Sequence, residues 1–150
     1  MKIVDYRYDE CGLDNVILKD LTVQTADDGE ETVTVPYIGV LHRVLTIAVA
    51  TKESSLQPKE LRFLRTEMGL TQAQLAQSVG RDVQAIGRWE RGENPIDSSA
   101  EIVVRAMALQ HVMEDLPKIE TMATWTIPAA IDEPFVIDAR DPEHYQRLAA

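Results

Sequence analysis

Residues Leu70–Gly92 read LTQAQLAQSVGRDVQAIGRWERG and contain the strongest helix start and stop signals of the chain. Thr71 and Gln74 have the spacing of a capping box, in which each side chain accepts the other residue's backbone N–H, so a helix is expected to begin here. Gly80 can adopt the positive φ of a sharp turn and is expected to end that helix. Asp82 can then cap a second helix that runs to the end of the stretch. The pattern therefore predicts two short helices joined by a tight turn.

The apolar residues of this stretch are expected to face one way and the polar residues the other. Ala76 is small enough to let the two helices cross closely. The expected inner set is Leu75, Val79, Val83, Ile86 and Trp89. The residues left outside on the second helix are Asp82, Gln84, Ala85, Gly87, Arg88 and Arg91. Two helices packed in this way present the second one to a partner.

The outer side chains of the second helix have the chemistry of a DNA reader. Gln84 and Arg88 are four residues apart and therefore share one face of a helix. In the major groove, Gln can pair with adenine and Arg with guanine, each through two hydrogen bonds. We therefore expect Gln84 and Arg88 to contact bases. Arg81, Arg91 and Ser98 are candidates for contacts with DNA phosphates, although helix capping alone also accounts for Ser98.

Further helices are predicted on both sides of this pair. Pro58 suits the first position of a helix, and Gly69 can end that helix. Ser98 and the glutamate three residues later repeat the capping-box spacing, and a helix that starts there would be closed by Pro117. We therefore expect residues 58–116 to form an all-helical DNA-binding domain.

The residues before this domain, 1–57, have β character followed by a helix. Leu21–Ala26 and Glu31–Val35 are rich in Thr and Val, and an acidic segment with Gly29 separates them, which predicts a β-hairpin. Apolar residues then recur at helical spacing over Tyr37–Thr51. We expect this N-terminal region to serve in dimerisation or partner binding.

The residues after the domain, 117–150, are expected to form a C-terminal extension with short strands. Thr124–Ile127 and Phe135–Ile137 have the composition of strands, and Asp141 with Pro142 can open a short last helix. The predicted fold class is therefore mainly α: a helix-turn-helix bundle with a small N-terminal β-hairpin plus helix and short C-terminal strands.

The net charge of −10 lies outside the stretch from Pro58 to His111, which covers most of the predicted DNA-binding domain. From Pro58 to His111 the chain holds seven basic and seven acidic residues, so the flanks carry the whole excess of negative charge. Phosphate contacts favour Lys and Arg. The acidic flanks should weaken non-specific DNA binding without altering a local readout surface.

Composition argues against several other classes of protein. Cys11 is the only cysteine, which excludes an internal disulfide and a four-cysteine zinc site, and the three histidines lack the spacing of metal ligands on one helical face. No apolar run is long enough for a transmembrane helix, and the acidic start differs from a signal peptide. No catalytic motif is evident. We therefore expect a cytoplasmic binding protein that is not an enzyme and uses no metal or cofactor.

The motifs of the central stretch resemble those of a known family. Leu70–Gly80, followed by Trp89–Gly92 and Pro95, resembles the Xre/Cro/phage-repressor family of helix-turn-helix proteins. The arrangement of Arg62–Arg65 followed by Val83–Gly92 looks most like the DNA-binding half of MqsA-type antitoxins. The chain departs from the MqsA pattern because Cys11 cannot replace the four cysteines of the N-terminal zinc domain in those antitoxins.

This resemblance implies a lambda-repressor-like bundle and assigns roles to particular residues. In such proteins, bases are read by residues at the start and middle of the third helix, which corresponds here to the second helix of the pair. By match, these are Gln84 and Arg88, with Asp82 and Val83 as further candidates. In the same proteins, the glutamine at the start of the second helix touches phosphate. That helix corresponds here to the first helix of the pair, and the residue is Gln72.

Three functions are open at this point. The first is transcriptional regulation, expected as repression by a homodimer on a two-fold site in double-stranded DNA, because one such unit reads only a few base pairs. The second is the antitoxin of a type II toxin–antitoxin pair, which would repress its own operon and bind a toxin protein through its acidic flanks. The third is a protein-interaction module that has kept the fold and lost DNA binding.

Overall fold

The computed structural model describes residues 1–129 and 133–148, and within them the chain forms two compact units. The first unit combines Met1–Leu45 with the chain from Glu133 on, and the second covers the chain between them, Thr46–Asp132. A strand after the helix-turn-helix pairs with a strand before it, so residues from both sides of the helix-turn-helix belong to the first unit. The division into three domains, 1–57, 58–116 and 117–150, stays a prediction.

The first unit contains the strands, and the second contains most of the helices. The strands are β1 (Lys2–Arg7), β2 (Val16–Thr25), β3 (Glu31–Thr32), β4 (Phe135–Asp138) and β5 (Gln146–Arg147), with a 3-10 turn over Pro142–His144. The helices are α1 (Ile38–Ala50), α2 (Pro58–Glu67), α3 (Gln72–Val79), α4 (Val83–Glu90), α5 (Ser98–His111) and α6 (Ile119–Thr124). The unit boundary falls within α1. The described chain is therefore mainly helical with a smaller share of strand, as predicted.

The strands form one sheet in the order β1-β2-β4-β5, and β3 pairs with the end of β2. β1 and β2 are antiparallel, as are β4 and β5, whereas β2 and β4 are parallel. Val16 lies opposite Phe135 and Leu18 opposite Ile137, and all four side chains are buried. Parallel strands need a long crossover connection. Here that connection contains the entire second unit.

A β-bulge at Asp20 lets β2 bury residues on both sides of it. Val4 lies opposite Leu21 and Tyr6 opposite Leu18, so β2 has one residue more than β1 between these pairs. Asp20 takes up the extra residue with φ 59°. Strict alternation would put Leu18 and Leu21 on opposite faces of the sheet. Because of the bulge, both leucines are buried.

The predicted N-terminal hairpin and helix are confirmed. β2 pairs with β3, and Gly29 adopts φ 86° in the turn between them. The second arm is shorter than expected, since β3 ends at Thr32 and not at Val35. Helix α1 lies within the predicted range Tyr37–Thr51. β1 lies in the N-terminal part of the chain that was predicted to have β character, although its bounds were not predicted.

The predicted tail is partly wrong. Thr124–Ile127 does not form a strand, because α6 extends to Thr124 and Trp125 is its C-cap. The β propensity of Thr, Trp and Ile is context-dependent, and here helix α6 packs its buried Met122 beside α5. The strand at Phe135 is confirmed as β4. Asp141 opens the short 3-10 turn as expected, with its side chain accepting the Glu143 N–H.

The start of α5 also differs from the expectation. Its N-cap is Asp97 and not Ser98, and Asp97 Oδ1 accepts the Ala100 N–H (2.8 Å). Glu101 does not complete a capping box, because its side chain is fully buried. One turn later, Arg105 pairs with this carboxylate (3.0 Å). The demand of a buried arginine for a carboxylate therefore overrides the local capping pattern.

Arg105 holds the segment that precedes α2 against the bundle. Its guanidinium donates to the carbonyl oxygens of Ala50 (3.1 Å), Lys52 (2.6 Å) and Ser54. The Glu101 carboxylate accepts from Leu56 N–H (3.3 Å) in the same segment. Residues 50–56 are thus part of the folded second unit and do not form a free linker.

Within residues 1–129 and 133–148, no helix combines the length and the apolar character that a bilayer crossing requires.

Candidate nucleic-acid interface

The helix-turn-helix is built from local signals that the structure confirms. Thr71 Oγ1 accepts the Gln74 N–H (3.1 Å) and Gln74 Oε1 accepts the Thr71 N–H (2.9 Å), which completes the predicted capping box. Gly80 ends α3 with φ 69°. Asp82 Oδ1 accepts the Ala85 N–H (2.8 Å) at the start of α4. These contacts determine where each helix begins and ends.

The inner side of the two helices is apolar, with three differences from the expectation, the first of which is that Val79 is only half-buried. The residues buried there are Leu75, Ala76, Ile86 and Trp89. Val83 is not inside: it is the first residue of α4, and its side chain is 44% exposed. Gly87 is not outside: it is buried, because the side chain of Arg91, one turn later, lies over it. An added Cβ at Gly87 would stand 2.9 Å from Arg91 Nη1.

Gln84 and Arg88 are exposed on the outer side of α4. Within the described part of the chain, neither side chain forms a hydrogen bond or an ion pair. Their spacing of four residues puts them on one face of the helix. An amide and a guanidinium thus stand side by side on the surface, available to an external partner. Their contacts with bases stay a prediction.

The two further base-contact candidates lie at the beginning of α4. Asp82 is exposed, and one of its carboxylate oxygens already serves as the helix cap. Val83 is exposed enough to offer an apolar contact to a neighbouring group. All four candidates therefore belong to one helix and its cap, and Asp82 has the least freedom to bind a base.

An ion pair that the sequence patterns did not reveal joins α2 to α4. Arg65 Nε and Nη2 donate to the two carboxylate oxygens of Glu90 at 2.6 and 2.9 Å, and Arg65 Nη1 donates to the Leu70 carbonyl (3.0 Å). The hydrogen bond to Glu90 raises the pKa of Arg65. A bidentate pair of this kind fixes orientation as well as distance. It therefore sets the position of the C-terminal end of α4.

Of the predicted phosphate contacts, Gln72 and Ser98 lie near the ends of helices. Gln72, the first residue of α3, is half-buried, and its Nε2 donates to Glu90 Oε1 (3.3 Å). It therefore extends the Arg65–Glu90 ion pair to a third helix. Ser98 is exposed at the first position of α5, and because Asp97 is the cap, its hydroxyl is not needed for capping.

Arg81 and Arg91, the other two predicted phosphate contacts, lie at opposite ends of α4. Arg81 pairs with Asp97 (Nη2–Oδ2 2.8 Å), and Arg91 pairs with Glu93 (Nε–Oε1 3.1 Å). Both pairs are well exposed to solvent. Exposed pairs of this kind are weak and exchange partners readily. A phosphate can therefore replace either carboxylate.

Among residues 1–129 and 133–148, no three His, Cys, Asp or Glu side chains are grouped in a way that could hold a metal ion.

Comparison with known proteins identifies one family for this part of the chain. No curated protein and no solved structure shows significant similarity to the chain. The closer resemblance to MqsA-type antitoxins therefore stays a prediction. Residues 61–100 match the model of the HTH_3 family, described as helix-turn-helix, and this segment, which contains α3, the turn and α4, indicates a DNA-binding regulator.

Proposed function

We propose that the protein is a sequence-specific transcriptional regulator that reads the major groove of double-stranded DNA with α4. The observation that carries the proposal is the pair Gln84 and Arg88, which are exposed on a helix whose opposite side is buried. Neither side chain has a hydrogen-bond or ion-pair partner among residues 1–129 and 133–148. An amide beside a guanidinium matches the donor and acceptor pattern of an adenine and a guanine.

The dimensions of α4 support this role. Its eight residues give a length of about 12 Å, and the major groove is about 12 Å wide. The buried Ile86 and Trp89 and the Arg65–Glu90 ion pair hold the helix from behind. Base readout depends on side chains held by a rigid support, because a loose helix would lose the energy of a bidentate contact to conformational entropy.

The test is to compare Arg88→Ala and Gln84→Ala with the parent protein. The DNA site is first obtained by selection from a random library and from the region upstream of the gene. We expect Arg88→Ala to weaken binding to that site by about 1–3 kcal/mol and to relax the preference at one base position. Arg140→Ala, which removes the same charge from the first unit, is the matched control and should leave binding unchanged. An equal loss for Arg88→Ala on selected and random DNA contradicts base readout.

We further propose that the regulator acts as a homodimer and a repressor. One α4 reaches only a few base pairs, so a two-fold arrangement is needed for a unique site, with half-sites about one helical turn apart. Footprinting measures this spacing, and sedimentation of the free protein measures its stoichiometry. A reporter gene under the upstream region should be less active when the protein is present. A single protected half-site, or a rise in reporter activity, argues against this form of the proposal.

The antitoxin alternative has support in the first unit. Tyr37 and Ile38 are 53% and 48% exposed at the start of α1, outside the segment that matches the family. Exposed apolar side chains of this size suit a protein partner. Co-expression with the product of an adjoining gene tests the idea: a stable complex that Ile38→Asp abolishes supports it. The alternative fails if that product neither binds nor inhibits growth when expressed alone.

The remaining alternatives make different predictions. A protein-interaction module would bind DNA at no salt concentration, whereas the proposed regulator binds more weakly as salt rises. In either case we propose a binding role and not a catalytic one. This agrees with the absence of a recognised catalytic motif in the sequence.

A further inference from the structure

Arg81 and Arg91, which lie at the two ends of α4, are each held by a carboxylate of the same unit. Arg81 Nε and Nη2 both reach Asp97 Oδ2, at 3.0 and 2.8 Å. Arg91 Nε and Nη2 reach the two oxygens of Glu93, at 3.1 and 3.2 Å. Arg88, between them on the outer face, has no such partner in the described chain. The arginines suited to phosphate are therefore paired, and the one suited to a base is open.

The positions of Arg81 and Arg91 suit the two sides of a groove. They are ten residues apart across α4, which corresponds to about 15 Å along a helix axis. The major groove is about 12 Å wide, so arginines at both ends of a helix lying in it can reach phosphates on opposite strands. A carboxylate stands at each of these two arginines.

Glu93 is also close to the base-reading face. Its pKa is lowered, first by the hydrogen bond from Arg91 and further by the charges of Arg91 and Arg88. The Glu93 carboxylate is therefore ionised at neutral pH and acts on both arginines. Gly87 contributes to this arrangement, since the space left by its missing Cβ is occupied by the Arg91 guanidinium.

We propose that Asp97 and Glu93 compete with DNA phosphates for Arg81 and Arg91 and thereby set a low affinity for DNA of any sequence. This inference rests on the proposed function. In the free protein each carboxylate occupies the place of a phosphate oxygen. When DNA binds, the arginine turns to the phosphate, and the released carboxylate remains nearby and repels the backbone. Stable binding then requires the additional base contacts of α4, so the competition restricts the protein to its own sites.

The test uses variants that remove one negative charge each. The Glu93 side chain is exposed and caps no helix, so Glu93→Gln removes the charge and leaves the helix ends intact. Asp97→Asn keeps an N-cap residue at the start of α5, since Asn caps as well as Asp. Glu120→Gln removes the same charge from the first turn of α6 and is the matched control. Binding is measured on the selected duplex and on a random duplex of about 20 base pairs, between about 50 and about 200 mM salt.

We expect Glu93→Gln and Asp97→Asn each to raise the affinity for both duplexes by roughly 2- to 5-fold, and the double variant to give about the product of the two effects. The decline of affinity with salt should become steeper for these variants, because the surface facing the phosphates gains positive charge. Glu120→Gln should bind as the parent does.

Two failures are distinguishable. If the parent binds DNA and Glu93→Gln binds with equal or lower affinity, the carboxylates orient the arginines and do not compete, and this inference alone is overturned. If neither the parent nor any variant binds either duplex at low salt, the proposed function is overturned and the inference falls with it. Should Asp97→Asn lower the melting temperature, Glu93→Gln decides the test alone.

Discussion

Replacing Arg105 by Met measures how much the buried ion pair contributes to the second unit. Arg105 is 0% exposed, and Glu101, its partner, is 0% exposed as well. Methionine fills much of the same space with an apolar chain and donates no hydrogen bond. The Arg105→Met variant therefore leaves a buried carboxylate without its cation. It also removes the donor from the carbonyl oxygens of Ala50 and Lys52.

The expected loss of stability is large. Removing one partner of a buried ion pair costs about 3–5 kcal/mol, because the remaining charge stays buried. Each carbonyl that loses its donor and remains buried adds about 1–3 kcal/mol, which entering water can partly restore. Burial opposes the charged form of Arg105, and this is the main cause of its lowered pKa. We therefore expect a loss of at least about 3 kcal/mol from the free energy of unfolding of the second unit.

The double variant Arg105→Met, Glu101→Gln isolates the contribution of the unpaired charge. Glutamine removes the negative charge and can still accept the hydrogen bonds that Glu101 Oε1 receives from Ser55 Oγ and Leu56 N–H. If the buried charge dominates the cost, the double variant is more stable than Arg105→Met alone. A double variant that is equally unstable would assign the cost to the lost carbonyl contacts.

Urea unfolding followed by tryptophan fluorescence is the appropriate assay. Trp89 and Trp125, the only two tryptophans, both belong to the second unit. With a slope of about 1–3 kcal/mol per molar urea, a loss of about 3 kcal/mol lowers the midpoint by roughly 1–3 M. Far-UV circular dichroism is recorded in parallel as a second measure of unfolding. It is needed because the Arg105 guanidinium lies 5.5 Å from the centre of the Trp125 ring, so its removal alters the fluorescence of Trp125 directly. A loss below about 1 kcal/mol would contradict this prediction, because that is the range of an exposed ion pair.

Three further predictions concern single residues. Gly80→Ala should destabilise the second unit by about 1–2 kcal/mol, because alanine is strained at φ 69°; calorimetry should show a lower melting temperature, and an unchanged one would contradict this. Asp82→Ala should cost about 0.5–2 kcal/mol by removing the cap of α4, while Asp82→Asn should retain most of the stability in urea titrations. The hydrogen bond to Glu10 raises the pKa of Tyr6 to about 12. This hydrogen bond therefore contributes its full stability to the first unit below pH 10.0, the ordinary pKa of tyrosine, and the contribution is lost as the pH rises towards 12. Ultraviolet titration of phenolate against Tyr6→Phe measures this, and a Tyr6 that ionises near pH 10.0 would show the prediction to be wrong.

The elements that could be predicted from the sequence are those whose cause is local. The capping box of Thr71 and Gln74, the left-handed Gly80 and the cap at Asp82 each depend on residues within four positions of one another. The hairpin around Gly29 belongs to the same group. Such signals can be identified from the sequence because the contacts that they form do not depend on the rest of the fold.

The elements that could not be predicted depend on partners distant in the chain. β4 pairs with β2 although all residues of the second unit lie between these strands in the sequence. No local pattern in either strand encodes the register of the pairing. Ser98 fits a cap in sequence, but the Glu101 that should complete the box is drawn into the core by Arg105. The strand predicted around Trp125 is likewise absent, because the packing of α6 outweighs the β propensity of these residues.

The candidate site shows the same division. Helical spacing alone brings Gln84 and Arg88 to one face, so the outer surface of α4 was accessible to sequence reasoning. The contacts that modify the site, between Arg65 and Glu90 and between Arg81 and Asp97, join residues 25 and 16 positions apart. Opposite charges at such separations are too common in any sequence to identify a pair.

The parallel pairing of β2 with β4 has a consequence for synthesis of the protein. Asn15 contacts the Glu133 carbonyl across 118 positions, so one side of β2 has no partner until β4 has been synthesised. The helical unit is complete by then and can fold first, since domains generally do so as they emerge. A shortened product that lacks β4 would carry a folded helical unit together with an open strand edge on β2, and open edges invite aggregation.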